Sequence, residues 1–348
     1  CWLALLPASE SSNRFSHGML LTAGVSVGLA VISLIALFSY LSPAYARPPD
    51  FAQADLVNES NTSNEASFGG LVTLLGYEIS QESVSPGDDL DVTLFWEVTA
   101  EPPGDYLEFV HLIDEQGLMI AQRDTHPGLG RFPSGQWQPG DRFQETITLE
   151  VPDIAYTPAT GTVSVGFYAP QEGYRLGVYA PDGTLQGDAL QLGQVSVVPD
   201  PAAGPGESAV PNAQQQNFAN ELLLLGYEYD QRQLEPGEPL GLTLHWQALA
   251  GEIPDYGVQL RLVDDSGWIM ATLQERPLSG TASTADWTPG ENVVDRHEMA
   301  ISELIPPGIY RVQVALKNPL DGQRPMIVDE DGRWLNDKLQ LAELRIAP

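Results

Sequence analysis

The chain has 348 residues, 16 of them Lys or Arg and 47 Asp or Glu, for a formal charge of −31, and its one cysteine is Cys1. A single cysteine excludes a disulfide-stapled domain and a cysteine zinc site, and the acidic balance argues against a nucleic-acid partner. A hydrophobic fraction of 43% is that of a folded chain, and the length suggests about two domains.

Residues 1–17 open on Cys1-Trp2-Leu3-Ala4-Leu5-Leu6-Pro7, which reads as the tail of a hydrophobic segment and a loop, and the chain as a fragment. A lipid-modified Cys1 is the competing reading. Residues 18–41 follow as 24 positions without a charge, where about 20 apolar residues suffice for one transmembrane α-helix. Tyr40 and Tyr45 stand where an interfacial aromatic belt would lie, and Pro43 stops the helix. Ala44-Tyr45-Ala46 also fits a signal-peptide cleavage pattern, but the apolar run is longer than a usual signal core. Arg14 and Arg47 nearly balance the flanking charge. The acidic, Pro-rich remainder suits the extracytoplasmic side, so the expected location is the cell membrane, with residues after about 42 outside the cytoplasm.

An internal repeat organises the rest. Leu74-Leu75-Gly76-Tyr77-Glu78 recurs as Leu224-Leu225-Gly226-Tyr227-Glu228, an offset of 150. Pro86-Gly87, Trp96, Asp114, Gly117, Trp137 and Pro139-Gly140 recur at the same offset as Pro236-Gly237, Trp246, Asp264, Gly267, Trp287 and Pro289-Gly290. Asp182-Gly183 and Leu190-Gln191-Leu192 recur at 149. A duplicated unit of about 125 residues is domain-sized. The expected organisation is a linker over 42–69, a first domain over 70–198, a linker over 199–220 and a second domain over 221–348, the linkers being polar and rich in Pro, Ser, Asn or Gln.

Each copy reads as β. Leu90, Val92, Leu94 and Trp96 alternate with Asp91, Thr93 and Glu97, and Leu240, Leu242, Leu244 and Trp246 repeat the pattern. Ser85-Pro86-Gly87-Asp88 and Glu235-Pro236-Gly237-Glu238 are turn signals, and Pro306-Pro307-Gly308 leads into a further strand. The predicted fold is all-β: two tandem immunoglobulin-like β-sandwich domains preceded by one transmembrane helix.

No nucleophile elbow, phosphate loop, dinucleotide fingerprint or His-Glu-x-x-His occurs, so no catalytic, cofactor-binding or metal-ligating residue and no cofactor is assigned. Asp124 with His126 is a weak metal candidate. Asp88-Asp89-Leu90-Asp91 and Asp329-Glu330-Asp331-Gly332 could offer oxygens to calcium, without the spacing of a full loop. The aromatic residues are better leads. Trp96 and Trp246 read as core. Trp137 and Trp287, before Pro-Gly turns, could cap a sandwich end or stack on a sugar. If 106–114 pairs with 91–97, then Phe95, Phe109 and His111 share the face opposite Trp96, where copy 2 has His245, Gln259 and Arg261. That patch is expected to pack on a partner, a linker or the membrane-embedded part.

Leu74-Leu75-Gly76-Tyr77-Glu78, Val92-Thr93-Leu94-Phe95-Trp96, Phe109-Val110-His111-Leu112-Ile113-Asp114, Ala121-Gln122-Arg123-Asp124 and Gln136-Trp137-Gln138-Pro139-Gly140-Asp141 resemble the C-terminal extracytoplasmic β-sandwich regions of bacterial glycosyltransferase family 39-like membrane proteins, which are related to dolichyl-phosphate-mannose–protein mannosyltransferases. Pro43-Ala44-Tyr45-Ala46 resembles their junction after the last span. The resemblance implies a parent enzyme that transfers sugar from a polyprenyl-phosphate donor. Its catalytic acid would lie in a multi-span domain preceding Cys1, so no catalytic residue carries over here. This chain would be its non-catalytic accessory module, with the lipid bilayer and that domain as partners. A glycan-binding module, contacting glycan through Trp137 or Trp287, and a cell-surface stalk are the alternatives. Copy 1 departs from the Pro-Pro-Gly-x-Tyr strand entry of copy 2, having Thr157-Pro158-Ala159-Thr160-Gly161.

Overall fold

The computed structural model describes residues 46–51, 65–199, 210–329 and 331–348, together with scattered positions between 29 and 39. Residues 1–17, most of the predicted span over 18–41, most of the linker over 42–69, and residues 200–209 lie outside the described residues. Within the predicted span, Leu29, Val31, Ile32 and Ile35 are helical and exposed. Among the described residues, no helix is long and apolar enough to cross a membrane.

From Ala66 onward the regular structure among the described residues is nearly all β. The first unit runs β1 (Ala66–Phe68), β2 (Val72–Ile79), β3 (Ser83–Val84), β4 (Asp89–Val98), β5 (Leu107–Asp114), β6 (Met119–Thr125), β7 (Arg142–Glu150), β8 (Ala159–Tyr168), β9 (Val178–Tyr179), β10 (Leu185–Gly187) and β11 (Leu190–Val197). One sheet has the order β10-β9-β1-β2-β4-β7 and the other β3-β11-β8-β5-β6. The second unit repeats this as β12 (Gln216–Phe218), β13 (Leu222–Tyr229), β14 (Gln233–Leu234), β15 (Leu240–Ala248), β16 (Gly257–Asp264), β17 (Ile269–Glu275), β18 (Asn292–Met299), β19 (Gly308–Lys317), β20 (Ile327–Val328), β21 (Trp334–Asn336) and β22 (Leu339–Ile346). Its sheets are ordered β18-β15-β13-β12-β20-β21 and β14-β22-β19-β16-β17. The two sheets of each unit enclose their own apolar core, as in a β-sandwich.

The repeated Leu-Leu-Gly-Tyr-Glu is a β-bulge. Leu74 pairs with Trp96 and Gly76 with Phe95, so Leu75 is the extra residue; Leu224–Trp246 and Gly226–His245 repeat the shift. The bulge leaves Trp96 and Trp246 facing inward, where both are fully buried. Trp96 meets Phe68 and Phe167 edge-on at 5.4 and 5.2 Å, and Trp246 meets Phe218 at 5.6 Å. Truncating such a ring costs about 3–5 kcal/mol. Gly87 and Gly237, at φ 88° and 91°, close the Pro-Gly turns as the sequence requires.

Two segments read as linker take part in the fold. β1 and β12 begin ahead of residues 70 and 221, because a three-residue strand needs only one or two buried side chains, here Ala66 and Phe68 or Phe218. Residues 47–51 lie against the first sandwich. Arg47 is 2.7 Å from Asp141 and sits 3.8 Å over the Phe132 ring, Pro49 O accepts from Gln144 N at 3.0 Å, and Phe51 meets Phe95 edge-on at 5.2 Å.

Candidate functional site

The five residues singled out in the sequence fall into four places. Trp137 and Trp287 are 3% and 6% exposed, so neither offers a ring to a sugar. Trp137 Nε1 donates to Phe132 O at 3.1 Å, and its ring lies 5.8 Å from Phe143 and 5.9 Å from Phe167. Each caps a sandwich after a short 3-10 turn, Ser134–Gln136 or Thr284–Asp286. The buried hydroxyls of Ser134 and Thr284 accept from Tyr106 N at 2.7 Å and Tyr256 N at 2.8 Å, bracing each cap to the next strand.

The strand pairing that would unite Phe95, Phe109 and His111 does not form. β4 pairs with β2 and β7, whereas β5 pairs with β6 and β8 in the other sheet. Short alternating strands carry no label saying which sheet they join, and the sandwich separates these two. Phe95 lies on the outer face of the six-stranded sheet, where Phe51 and Leu75 cover it. Of the three covers expected for Phe95, the linker supplies one.

Phe109 and His111 lie on the outer face of the five-stranded sheet. Their rings are 4.6 Å apart, and the Arg175 guanidinium sits 4.4 Å from the Phe109 centroid. Phe109 rests on Gly166, where a Cβ would come within 2.3 Å of its Cζ, so a larger residue there would expel the ring. His111 Nε2 is 2.9 Å from Asp124 Oδ1. Burial first, and the Asp124 hydrogen bond second, raise the Tyr168 hydroxyl. Asp124 therefore serves His111 and Tyr168. Across four strands Gln191, Ser164, His111 and Gln122 stand in register as a polar row. Among the described residues no three acidic, His or Cys side chains gather to hold a metal. Asp88 accepts from Ser85 N at 2.7 Å and Asp329 from Arg333 N at 2.7 Å, so both close turns; Glu330 lies outside the described residues.

Two buried polar clusters escaped the sequence reading. In the first sandwich Glu108 (β5) and Glu145 (β7) point inward from opposite sheets and are 0% and 3% exposed. Gly128 N donates to Glu145 Oε2 at 2.6 Å, while neither Glu108 oxygen has a hydrogen-bond donor. Burial, then the neighbouring Glu145 charge, hold Glu108 well above the usual carboxylate range. Burial also raises Glu145, although Glu108, the Gly128 and Leu129 N–H groups and the Trp96 indole pull it back. In the second sandwich Asp295 stands where Glu145 does in the repeat. Trp246 Nε1 donates to Asp295 Oδ2 at 3.2 Å, His297 Nε2 is 2.8 Å from the same oxygen, and His297 Nδ1 is 2.7 Å from Glu275. Burial pulls this imidazole down, but Asp295 and Glu275 outweigh it and hold it above its ordinary value. The signal was present: Glu108 interrupts the apolar parity of Val110 and Leu112, and Glu145 that of Phe143 and Ile147.

A polar junction joins the two sandwiches. Arg232 Nη1 is 2.7 Å from Asp114 Oδ2, with 9% and 0% of the side chains exposed. Arg232 Nε donates to Glu343 O at 3.0 Å, and its guanidinium sits 4.5 Å from the Tyr156 ring centroid. Tyr156 stacks on Tyr229 at 5.8 Å and 16°. Arg345 donates to Gln116 O at 2.9 Å and Gly117 O at 2.6 Å. Asn212 accepts from Thr157 N at 2.5 Å and donates to Tyr227 O at 2.9 Å. Beside this junction a cleft of about 230 Å³ is lined by Met119, Ile120, Tyr156, Arg232, Arg311 and Glu343, among others.

No protein family and no curated protein matches the sequence. Among solved structures, the C-terminal domain of wzt is similar over 44% of this chain and 90% of its own, at 11% identity and TM-score 0.31. Red sea bream transglutaminase is similar over 78% of this chain and 31% of its own, at 11% identity and TM-score 0.23. Neither likeness carries an activity to this chain.

Proposed function

We propose that the chain is a rigid, non-catalytic accessory module: two tandem immunoglobulin-like sandwiches held outside the cytoplasm by a membrane span over 18–41, serving a membrane glycosyltransferase that uses a polyprenyl-phosphate sugar donor. The catalytic part would belong to a multi-span domain outside this chain. The observation that carries the reading is the seating of residues 47–51 on the first sandwich, through Arg47–Asp141 and Phe51–Phe95. A segment anchored directly after the span fixes the sandwich relative to the bilayer instead of letting it swing. The buried Arg232–Asp114 pair then extends that stiffness to the second sandwich. Exposed aliphatic side chains at Leu29, Val31, Ile32 and Ile35 fit a lipid-facing helix. The assignment to a glycosyltransferase rests on the motif resemblance.

A stalk without an enzyme is the second reading, and the same rigidity favours it. Glycan stacking on Trp137 or Trp287 is disfavoured by their burial. Sequencing the coding DNA upstream of the Cys1 codon tests the proposal. Many hydrophobic spans, with an acidic residue in the first outer loop, are the expected result. A start codon within a few residues would leave the stalk and remove the enzyme.

A further inference from the structure

The β5–β6 turn of the first sandwich is a receptor. Asp114 Oδ1 accepts from Gln116 N at 3.0 Å and Leu118 N at 2.7 Å, which shapes the turn and leaves Oδ2 for Arg232. Arg345 takes the turn carbonyls, and Leu118 is fully buried. The β16–β17 turn of the second sandwich has the same construction. Asp264 Oδ1 accepts from Ser266 N at 3.0 Å and Trp268 N at 2.8 Å. Its Oδ2, the atom equivalent to the one that takes Arg232, has no partner among the described residues. Trp268 and Ile269, at the positions of Leu118 and Met119, are 74% and 52% exposed. One duplicated turn is thus covered by arginines and the other carries the same acceptor beside an uncovered indole.

We infer that the Asp264–Ile269 turn is a docking end for a β-sandwich of another protein, whose edge presents two arginines spaced as Arg232 and Arg345 are. Charge complementarity and equivalence with the junction inside this chain argue for that occupant. A second copy of this chain does not fit. Its own Arg232 and Arg345 are engaged, and the matching edge of its first sandwich carries Glu82 and Ser196 instead: Ser196 pairs with Ser83 as Arg345 pairs with Gln233, and Ser196 N donates to Glu82 O at 2.9 Å as Arg345 N donates to Arg232 O at 2.7 Å. The inference goes beyond the membrane and glycosyltransferase reading and does not depend on it.

Glu82 and Ser196 are exposed, so they can be exchanged without disturbing the core. The probe is the full chain carrying E82R, S196R and D264N, which presents the arginine edge but lacks its own acceptor. Mixed with the wild-type full chain in mild detergent and followed by sedimentation velocity, it should form a one-to-one complex. Trp268→Ser in the wild-type partner should weaken that complex at least tenfold, and Glu82 and Ser196 restored in the probe should abolish it. Absence of a complex at about 100 μM, with both chains folded by circular dichroism, would overturn the inference. So would a complex that is indifferent to Trp268→Ser.

Discussion

The guanidinium of Arg232 and the carboxylate of Asp114 meet at 2.7 Å across the two sandwiches, nearly out of water. Two charges lose hydration there, and the pair holds only because the remaining polar atoms are engaged: Asp114 by its own turn, Arg232 by Glu343 O and the Tyr156 ring. Removing one member of such a pair leaves an uncompensated charge and costs about 3–5 kcal/mol. Arg232→Ala should therefore uncouple the sandwiches. The expected outcome is two resolved unfolding transitions in place of one in denaturant, and a larger radius of gyration in solution scattering. A single unshifted transition would count against the lock.

The Glu108–Glu145 pair should make the first sandwich more stable toward acid. Both folded pKa values are raised above the ordinary carboxylate value, mainly by burial. The folded state therefore keeps a proton that the unfolded chain has lost, and stability falls as pH rises above that ordinary value. Glu108→Gln removes the titration while keeping the shape. It should stabilise the protein by about 1–3 kcal/mol at pH 8, the scale of relieving a buried unsatisfied group, and by little at pH 4. Thermal unfolding at the two pH values checks this; equal shifts at both would refute it.

Much of the fold was legible because its signals are local. The alternation from Leu90 to Trp96 and the Pro-Gly turns each follow from a few adjacent residues, and the duplication made every signal appear twice. Which strands share a sheet was not legible. It depends on how the chain crosses between layers, and so the local pattern groups Phe95 with Phe109 although the two face away from each other on opposite sheets. Trp137 and Trp287 show the same limit, since their positions before a turn are compatible with a cap or a platform until burial is known. The inter-domain lock was illegible for another reason. Arg232 and Arg345 break the repeat, standing where copy 1 has Glu82 and Ser196, and a repeat is visible only through the positions that match. Differences between duplicated copies mark where one copy touches the other.

His297 gives the second sandwich its own pH dependence. Its folded pKa lies above the ordinary value near 6.5, since Asp295 and Glu275 outweigh burial. A raised histidine stabilises fully below its unfolded value and loses that contribution as pH rises through the folded value. Wild-type stability should therefore decline from about pH 6.5 upward. His297→Gln, which keeps one donor but does not titrate, should be flat over that window and about 1–3 kcal/mol less stable at pH 6. Unfolding curves between pH 6 and 9 decide it; a parallel decline in the variant would assign the effect elsewhere.

Phe51→Ala should loosen the segment that enters the first sandwich without unfolding the sandwich. The edge-to-face pair with Phe95 is worth about 0.5–1.5 kcal/mol beyond the area it buries. The main core does not include Phe51 or Phe95, so global stability should change little. The reporter is the Gln144 amide, which donates to Pro49 O at 3.0 Å. Its hydrogen exchange should accelerate about tenfold in the variant while amides of β4 stay protected. Unchanged exchange at Gln144 would mean that Arg47–Asp141 alone holds the segment.

Phe109→Ser separates a packed residue from a docking one. The ring is only 1% exposed, wedged between Gly166 below and Arg175 above, with His111 beside it. Nothing of it is left for a partner to grip, so the substitution should act on stability, by about 3 kcal/mol as for other large-to-small changes at buried rings. Its effect should also reach His111, whose ring would lose the neighbour that holds it toward Asp124. The imidazole resonances of His111 should broaden or shift while those of His297, in the other sandwich, do not. A variant with wild-type stability but altered self-association would reverse the assignment and return Phe109 to the surface.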